Sequence, residues 1–214
     1  MEGQRSTDTL EPGPRALIGH IAHPGAQIPA LETERLILRG HLATDLEDSA
    51  TMWGDPEVVR LISGQTATVT QSWSRILTYA GLWHHFGYGY WAVCDKVSGN
   101  FLGEVGFADF KRDLDMNMNC VPEVGWAFHT QAQGLGYALE AVRGILDWSD
   151  KNLSDRTTFC ILHPSHDRSL TLAKKVGFMV EITGKKAGME VLVMSRPRGG
   201  RPIASAPPLG ALRK

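Results

Sequence analysis

Two glycines, Gly134 and Gly136, sit in the segment Gln131-Ala-Gln-Gly134-Leu-Gly136-Tyr-Ala138, after an extended run and at the start of a helical one. The first turn of a helix exposes backbone N–H groups that lack intrahelical acceptors, and the aligned peptide dipoles add positive potential there. Glycine keeps side chains out of the way, so a pyrophosphate can lie directly on those amides without help from a lysine. The chain holds neither the Gly-x-x-x-x-Gly-Lys-Ser/Thr loop of nucleotide hydrolysis nor a complete Gly-x-Gly-x-x-Gly dinucleotide fingerprint. Two glycines at a helix start also suit a tight, empty strand-to-helix connection, and the residues alone leave both readings open. A second grouping, Cys160-x-x-His163-x-x-His166, has zinc-ligand types, but no second close cluster supplies the fourth ligand of a structural site. A strand residue followed by two turn residues accounts for it better, and no metal is expected.

For the loop to act, the elements around it must hold it still. Leu135, Leu139, Val142 and Leu146 recur at helical spacing, so a helix from about Gly136 to Lys151 is expected to bury that face against a sheet. A helix held in this way presents amides that are already ordered when a ligand arrives. Upstream, Arg35 to Arg39 reads as a short strand, and Asp45 to Ile62 and Thr70 to Phe86 as helical, with an interruption near Gly54-Asp55-Pro56. Tyr90 to Asp95, Phe101 to Phe110 and Glu123 to Phe128 form an antiparallel meander, its first turn carried by Lys96 to Asn100. Downstream come a strand at Thr157 to Leu162, a helix at Asp167 to Val176, and strands at Phe178 to Thr183 and Met189 to Met194. This is a mixed α/β sheet with helices on its faces.

Length and composition bound the rest. A chain of 214 residues fits one domain, placed at 31–195 between Pro-containing tails at 1–30 and 196–214. A formal net charge of -1 supplies no global field for nucleic acid or an anionic membrane, so neither is an expected partner. Cys94, Cys120 and Cys160 are odd in number and widely spaced, which suits a reducing compartment. No apolar run approaches the roughly 20 residues a bilayer requires, and the expected location is cytoplasmic.

Five motifs follow in order: Thr33-Glu-Arg-Leu-Ile-Leu-Arg39, Gly103-Glu-Val-Gly106, Glu123-Val-Gly-Trp126, Gln131-x-x-Gly134-x-Gly136-Tyr-Ala-x-Glu-Ala141 and Ser169-x-x-x-Ala-x-x-x-Gly-Phe178. Together they cover about Leu31 to Met194 and resemble those of GNAT acetyltransferases of the RimJ/RimL type. The resemblance implies a central, mostly antiparallel sheet with flanking helices, in which two parallel strands, Glu123 to Phe128 and Thr157 to Leu162, splay apart. It implies acetyl-CoA as cosubstrate, its pyrophosphate on the loop formed by Gln131, Gln133, Gly134, Leu135, Gly136, Tyr137 and Ala138. The pantetheine arm would lie along Trp126, Ala127 and Phe128 and near His166 and Ser169, and a backbone N–H of that strand would hold the oxyanion as an amine attacks the thioester.

The same resemblance nominates Glu123 and Glu181 as bases, although either would also serve to orient the amine by charge, and Glu123 suits a structural role in the sheet. Ser169 matches the serine that assists the departing thiolate, though a serine near a helix start is also a common cap, worth about 1 kcal/mol. His166 stands where the family has asparagine. An imidazole reproduces the donor–acceptor pair of the amide, acts as an acid, or is simply a surface residue. The Tyr137 hydroxyl is a further acid or packs over the coenzyme. Trp53, Trp83, His84, His85 and Phe86 either line the acceptor cleft or join the core. The acceptor implied is a primary amine, foremost a protein N-terminal α-amine. A small amine such as an aminoglycoside, polyamine or amino acid, and a sensor without turnover, are the alternatives, and a homodimer is left open.

Overall fold

The structure, a computed structural model, describes residues 28–112, 121–154, 157–186 and 188–200. Cys120 and most of both expected tails lie outside those residues. The elements are β1 Leu31–Glu32, β2 Leu36–Arg39, α1 Leu46–Gly54, α2 Pro56–Val59, α3 Val69–Phe86, β3 Tyr90–Asp95, β4 Phe101–Ala108, β5 Glu123–Phe128, α4 Tyr137–Asn152, β6 Thr157–Leu162, α5 Asp167–Lys175, β7 Met179–Lys186 and β8 Met189–Pro197. The strands make one sheet in the order β1-β2-β3-β4-β5-β6-β8-β7. Every neighbouring pair is antiparallel except β5 and β6.

The expected break in the first helical region falls between α1 and α2 for a local reason. Asp55 is extended, its carboxylate accepts from the Glu57 amide at 2.9 Å, and Pro56 starts the next helix without needing an acceptor for its nitrogen. Thr68 and Gln71 close a reciprocal capping box that fixes the start of α3.

Strand alternation divides the apolar residues between two layers. Trp91, Val93, Val105 and Phe107 join Ala141, Val142, Ile145 and Leu146 of α4 in the main core. On the other face Ala92, Phe101 and Ala127 pack with Met52 and Trp53 of α1, and Tyr90 packs with Tyr79 and Leu82 of α3. Leu135 departs from expectation: it is exposed, because the helix begins only at Tyr137 and the left-handed residues at 134 and 136 throw it off the helical phase.

Both expected domain limits fall inside the packed structure. Pro29 accepts a hydrogen bond from Trp91 Nε1 at 2.8 Å, and Ile28 packs on the core. At the other end β8 runs through Arg196, a buried residue whose guanidinium forks onto Asp150 of α4 at 2.9 and 2.7 Å. A basic residue in a Pro-rich stretch reads as tail until a carboxylate from a helix far upstream is seen to satisfy it. Among the described residues no helix is long and apolar enough to cross a membrane, and Cys94 and Cys160 are buried free thiols.

Candidate active site

The loop at 131–138 is shaped by backbone that only glycine adopts readily. Gly134 and Gly136 have φ of 79° and 84°, and Gly136 caps α4 with no side chain over the helix end. A side chain on Gly134 would meet nothing within 4 Å, so the space in front of the amides is open. Arg35 fastens the loop from behind. Its Nη1 donates to the Leu135 carbonyl at 3.0 Å, its Nε to Glu140 at 2.7 Å, and its guanidinium stands 4.5 Å over the Tyr137 ring. Glu140 also accepts from Thr33 Oγ1 and from the Arg35 amide. Burial alone would raise the Glu140 carboxyl, but these bonds outweigh it and hold it below its usual range. Tyr137 is thus a packing partner of Arg35. Gln131 is exposed on the single turn before the loop. Gln133 ties the loop to its surroundings: Nε2 donates to the Phe128 carbonyl at 3.1 Å and Oε1 accepts from Arg168 of α5 at 3.1 Å.

The parallel strands β5 and β6 share one registered pair, Glu123 with Phe159, and the Phe159 amide donates to the Pro122 carbonyl. Beyond that they part. The free backbone of β5 can be assigned from its register with β4. His129 N donates to Leu102 O, so Gly103 and Phe128 are a non-hydrogen-bonded pair; by alternation Ala127 is spent on Glu104, while Trp126 and Phe128 turn their N–H groups toward β6. Those two donors face the gap where the strands have separated, and they can hold a developing oxyanion with no side chain involved.

Across the gap lies the start of α5. Trp126 Nε1 donates to Ser169 Oγ at 3.2 Å, and Ser169 Oγ is 3.2 Å from His166 Nε2. Ser169 is buried and is the third residue of the helix; the cap position belongs to His166, which makes no side-chain cap. The capping role therefore does not fall to Ser169. Burial, helped by the charge of Arg60, lowers the His166 pKa from its ordinary value, so the imidazole is neutral at pH 7. A neutral ring is a poor acid but a good partner for a hydroxyl. With its proton on Nε2 it donates to Ser169 Oγ, as Trp126 does, and leaves the serine proton free to point into the gap.

The cleft that contains this chain has a volume of about 470 Å³ and continues past β5 to Trp53, Arg60, Arg75, Tyr79, Tyr90 and Arg112. Glu123 is its one lining carboxylate among the described residues, and Arg112 holds both its oxygens, at 2.6 and 2.7 Å. Glu181 stands elsewhere, on an irregular stretch of β7, where it accepts from the Ser195 hydroxyl. Of the aromatic residues expected as a wall only Trp53 lines the cleft. Trp83 is core, packed edge-on against Trp91, and His84, His85 and Phe86 end α3 away from the cleft. Cys160, His163 and His166 do separate jobs: the thiol is in the core, His163 accepts from the Ser165 amide, and His166 faces Ser169.

Sequence reasoning missed Arg35, Arg75 and Arg112, as well as the partners Glu140 and Glu104. Arg35, Glu104 and Glu140 stand in the sequence only as letters within motifs. Arg112 lies 11 residues before Glu123. Arg35 and Glu140 are 105 residues apart, so no local spacing announces them.

Comparison with known proteins bears on the same region. A family model described as an acetyltransferase (GNAT) domain matches residues 35–179. The chain is 27% identical over 176 residues to the uncharacterized protein YkkB of Bacillus subtilis strain 168, covering 78% of this chain and 94% of that one. A GNAT-family acetyltransferase structure from Bordetella pertussis superimposes with a TM-score of 0.70 at 26% identity, covering 78% of this chain and 99% of its own. At 12% identity the fold is also that of a RimL ribosomal α-N-protein acetyltransferase in complex with coenzyme A, with a TM-score of 0.66 over 81% of this chain and 100% of that one.

Proposed function

The chain belongs to the GNAT acetyltransferase family, and from that premise we propose that it transfers the acetyl group of acetyl-CoA to the N-terminal α-amine of a protein or peptide. Acetyl-CoA-dependent acyl transfer goes with the family; the acceptor is the proposal. One observation carries it. The lining carboxylate Glu123 is committed on both oxygens to Arg112, so the described cleft offers no free carboxylate base. A lysine-like amine, with a pKa of about 10.4, is almost wholly protonated at neutral pH and needs one. An α-amine, at about 7.7, arrives partly neutral. The arginines in the cleft also repel polycations, which counts against aminoglycosides and polyamines. The RimL enzyme that shares this fold is an α-N-protein acetyltransferase, which is consistent with this reading.

The residues divide the work. Acetyl-CoA supplies an activated thioester. The amides from Gln133 to Tyr137 receive its pyrophosphate, with Gly134 and Gly136 leaving the approach clear and Arg35 holding the loop. Trp126 and Phe128 offer N–H groups to the carbonyl oxygen as the amine attacks and charge develops there. Ser169, aligned by Trp126 and His166, donates to the sulfur as it departs. A thiolate is a stable anion, so one hydrogen bond suffices as the C–S bond breaks, where an alkoxide would need a full proton. The proton that the nitrogen sheds as the amide forms passes to solvent or to the thiolate, giving free coenzyme A thiol.

The test is a free-thiol assay with matched acceptors: one short peptide with a free α-amine, and the same peptide blocked at its terminus but carrying a lysine side chain. The proposal expects thiol release with the first and little with the second. Preferential use of the lysine amine would overturn it.

A further inference from the structure

Besides two histidines, three arginines and one carboxylate are the acidic and basic residues described along the cleft. Two of the arginines have acidic partners: Arg112 forks onto Glu123, and Arg60 lies 3.9 Å from Glu57 on the surface. Arg75 of α3 has no carboxylate within ion-pair distance among the described residues, and its Nε–H is buried without a hydrogen-bond partner. Leaving a charged donor buried and unmatched is costly, and an anion supplied by a ligand removes that cost.

The group is also held ready. The Arg75 guanidinium stands 3.8 Å over the Trp53 ring, and Trp53 Nε1 is anchored at 3.0 Å to Glu104, which is fully buried. The same Glu104 oxygen, Oε1, accepts from the Tyr79 hydroxyl, while Oε2 lies 3.4 Å from His41 Nε2. Tyr79 and Glu104 both favour the charged guanidinium of Arg75, but neither Glu104 oxygen is within ion-pair distance of it. Tyr79 stacks on Tyr90 at 4.4 Å between ring centres, and the Tyr90 hydroxyl lies so close to Gly125 of β5 that a Cβ there would collide with it. One stacked ring pair therefore separates Arg75 from the strand whose backbone faces the acyl group. Arg75, Gly125 and Trp126 line the same cleft, so an amine held at the strand has Arg75 on its wall.

From this we infer that the acceptor carries a carboxylate a few bonds from its α-amine, and that Arg75 binds it. The inference rests on the α-amine reading above and narrows it. Two sources share this chemistry: the side chain of an acidic first residue in a peptide, and the α-carboxylate of a free amino acid. A guanidinium fixed by stacking suits either, because its planar fork matches a carboxylate.

The experiment uses the full chain with acetyl-CoA and two matched acceptor pairs. One pair is Glu-Ala-Ala-Ala-amide with Gln-Ala-Ala-Ala-amide; the other is leucine with leucinamide. For wild type, one pair should show a preference for the carboxylate member of about tenfold to a hundredfold in kcat/KM, expressed in KM. Which pair responds identifies the source. In Arg75→Gln that ratio should collapse toward one, and Arg75→Lys should keep part of it. Coenzyme affinity measured on each preparation reports that the variant is folded.

Equal use of both members of both pairs by wild type would overturn the inference while leaving α-amine acetylation intact, as would a ratio that survives in folded Arg75→Gln. A dependence on Arg75 confined to carboxylate-bearing acyl donors would also overturn it. Were wild type to acetylate none of these amines, the α-amine reading would fail by itself. Calorimetric titration of the same four compounds into the coenzyme A complex would then decide the subsite: binding that favours carboxylates and is lost in Arg75→Gln sustains it, and indifference to charge sinks it.

Discussion

The two halves of the cleft are made of different material. The half that we propose takes the coenzyme is backbone: glycines at 134 and 136, the first amides of α4, and the N–H groups of Trp126 and Phe128 where β5 and β6 separate. The half proposed for the acceptor is side chain: Trp53, Arg75, Tyr79, Tyr90 and Arg112, drawn from two helices, a strand and a loop. Backbone donors recognise what every acyl-CoA shares, a pyrophosphate and a thioester. Side chains recognise what differs between acceptors. Substitutions should therefore split by half, with the first half governing coenzyme binding and transfer, and the second governing which amine is used.

The largest expected effect tests the backbone half. Gly134→Val introduces a β-branched side chain at φ of 79° in front of the phosphate amides. Coenzyme affinity should fall more than about a hundredfold, several bonds to a charged group being lost together, while circular dichroism reports an intact fold. Coenzyme binding unchanged in the folded variant would move the pyrophosphate elsewhere.

Ser169→Ala is expected to have a smaller effect of a different kind. Removing one donor to the departing sulfur should lower turnover about tenfold to thirtyfold and leave coenzyme affinity nearly constant. A variant that turns over like wild type would take Ser169 off the reaction and leave it as the anchor of the Trp126 indole.

That division also explains what was legible in the sequence. The glycine pair, the strand before it and the helix after it are local, so spacing gives a loop suited either to an anion or to a tight empty connection. The succession of strands along the chain follows from the same kind of pattern, whereas the parallel pair β5 and β6 is legible only through the family resemblance. Leu135 shows the limit even there, since two left-handed glycines break the helical period that its spacing suggests. The acceptor half has no local signature, because its parts meet only on folding. Glu123 reads as a base, an orienting charge or a structural residue of the sheet, and only the fold shows Arg112 on both its oxygens. Ser169 reads as a partner of the thiolate or as a cap, and only the fold shows His166 in the cap position. Arg196 reads as tail until Asp150 reaches it.

The smallest expected effect concerns His166. If the neutral imidazole only orients Ser169, His166→Asn supplies an equivalent donor and should keep turnover within about threefold of wild type, whereas loss of a proton-transfer group costs about a hundredfold or more. The pH dependence of stability carries a second signature. Burial lowers the His166 pKa in the folded chain, so the unfolded chain takes up the proton first. The stability this site contributes is complete above the unfolded pKa of about 6.5 and is lost as pH falls through the lower folded value. Melting temperatures below about pH 6.5 should decline less steeply for His166→Asn than for wild type.

The central claim is that the cleft supplies no base and the amine must arrive neutral. The pH profile of kcat/KM, taken with a series of peptides whose α-amine pKa values differ, tests it most directly. Each profile should rise to a plateau with its midpoint at the ionisation of that acceptor, near about 7.7 for an ordinary N-terminus and moving in step along the series, and Glu123→Gln should not shift it. A midpoint that stays fixed while the acceptor pKa changes, and that disappears in Glu123→Gln, would mean that the enzyme removes the proton itself and would contradict the account.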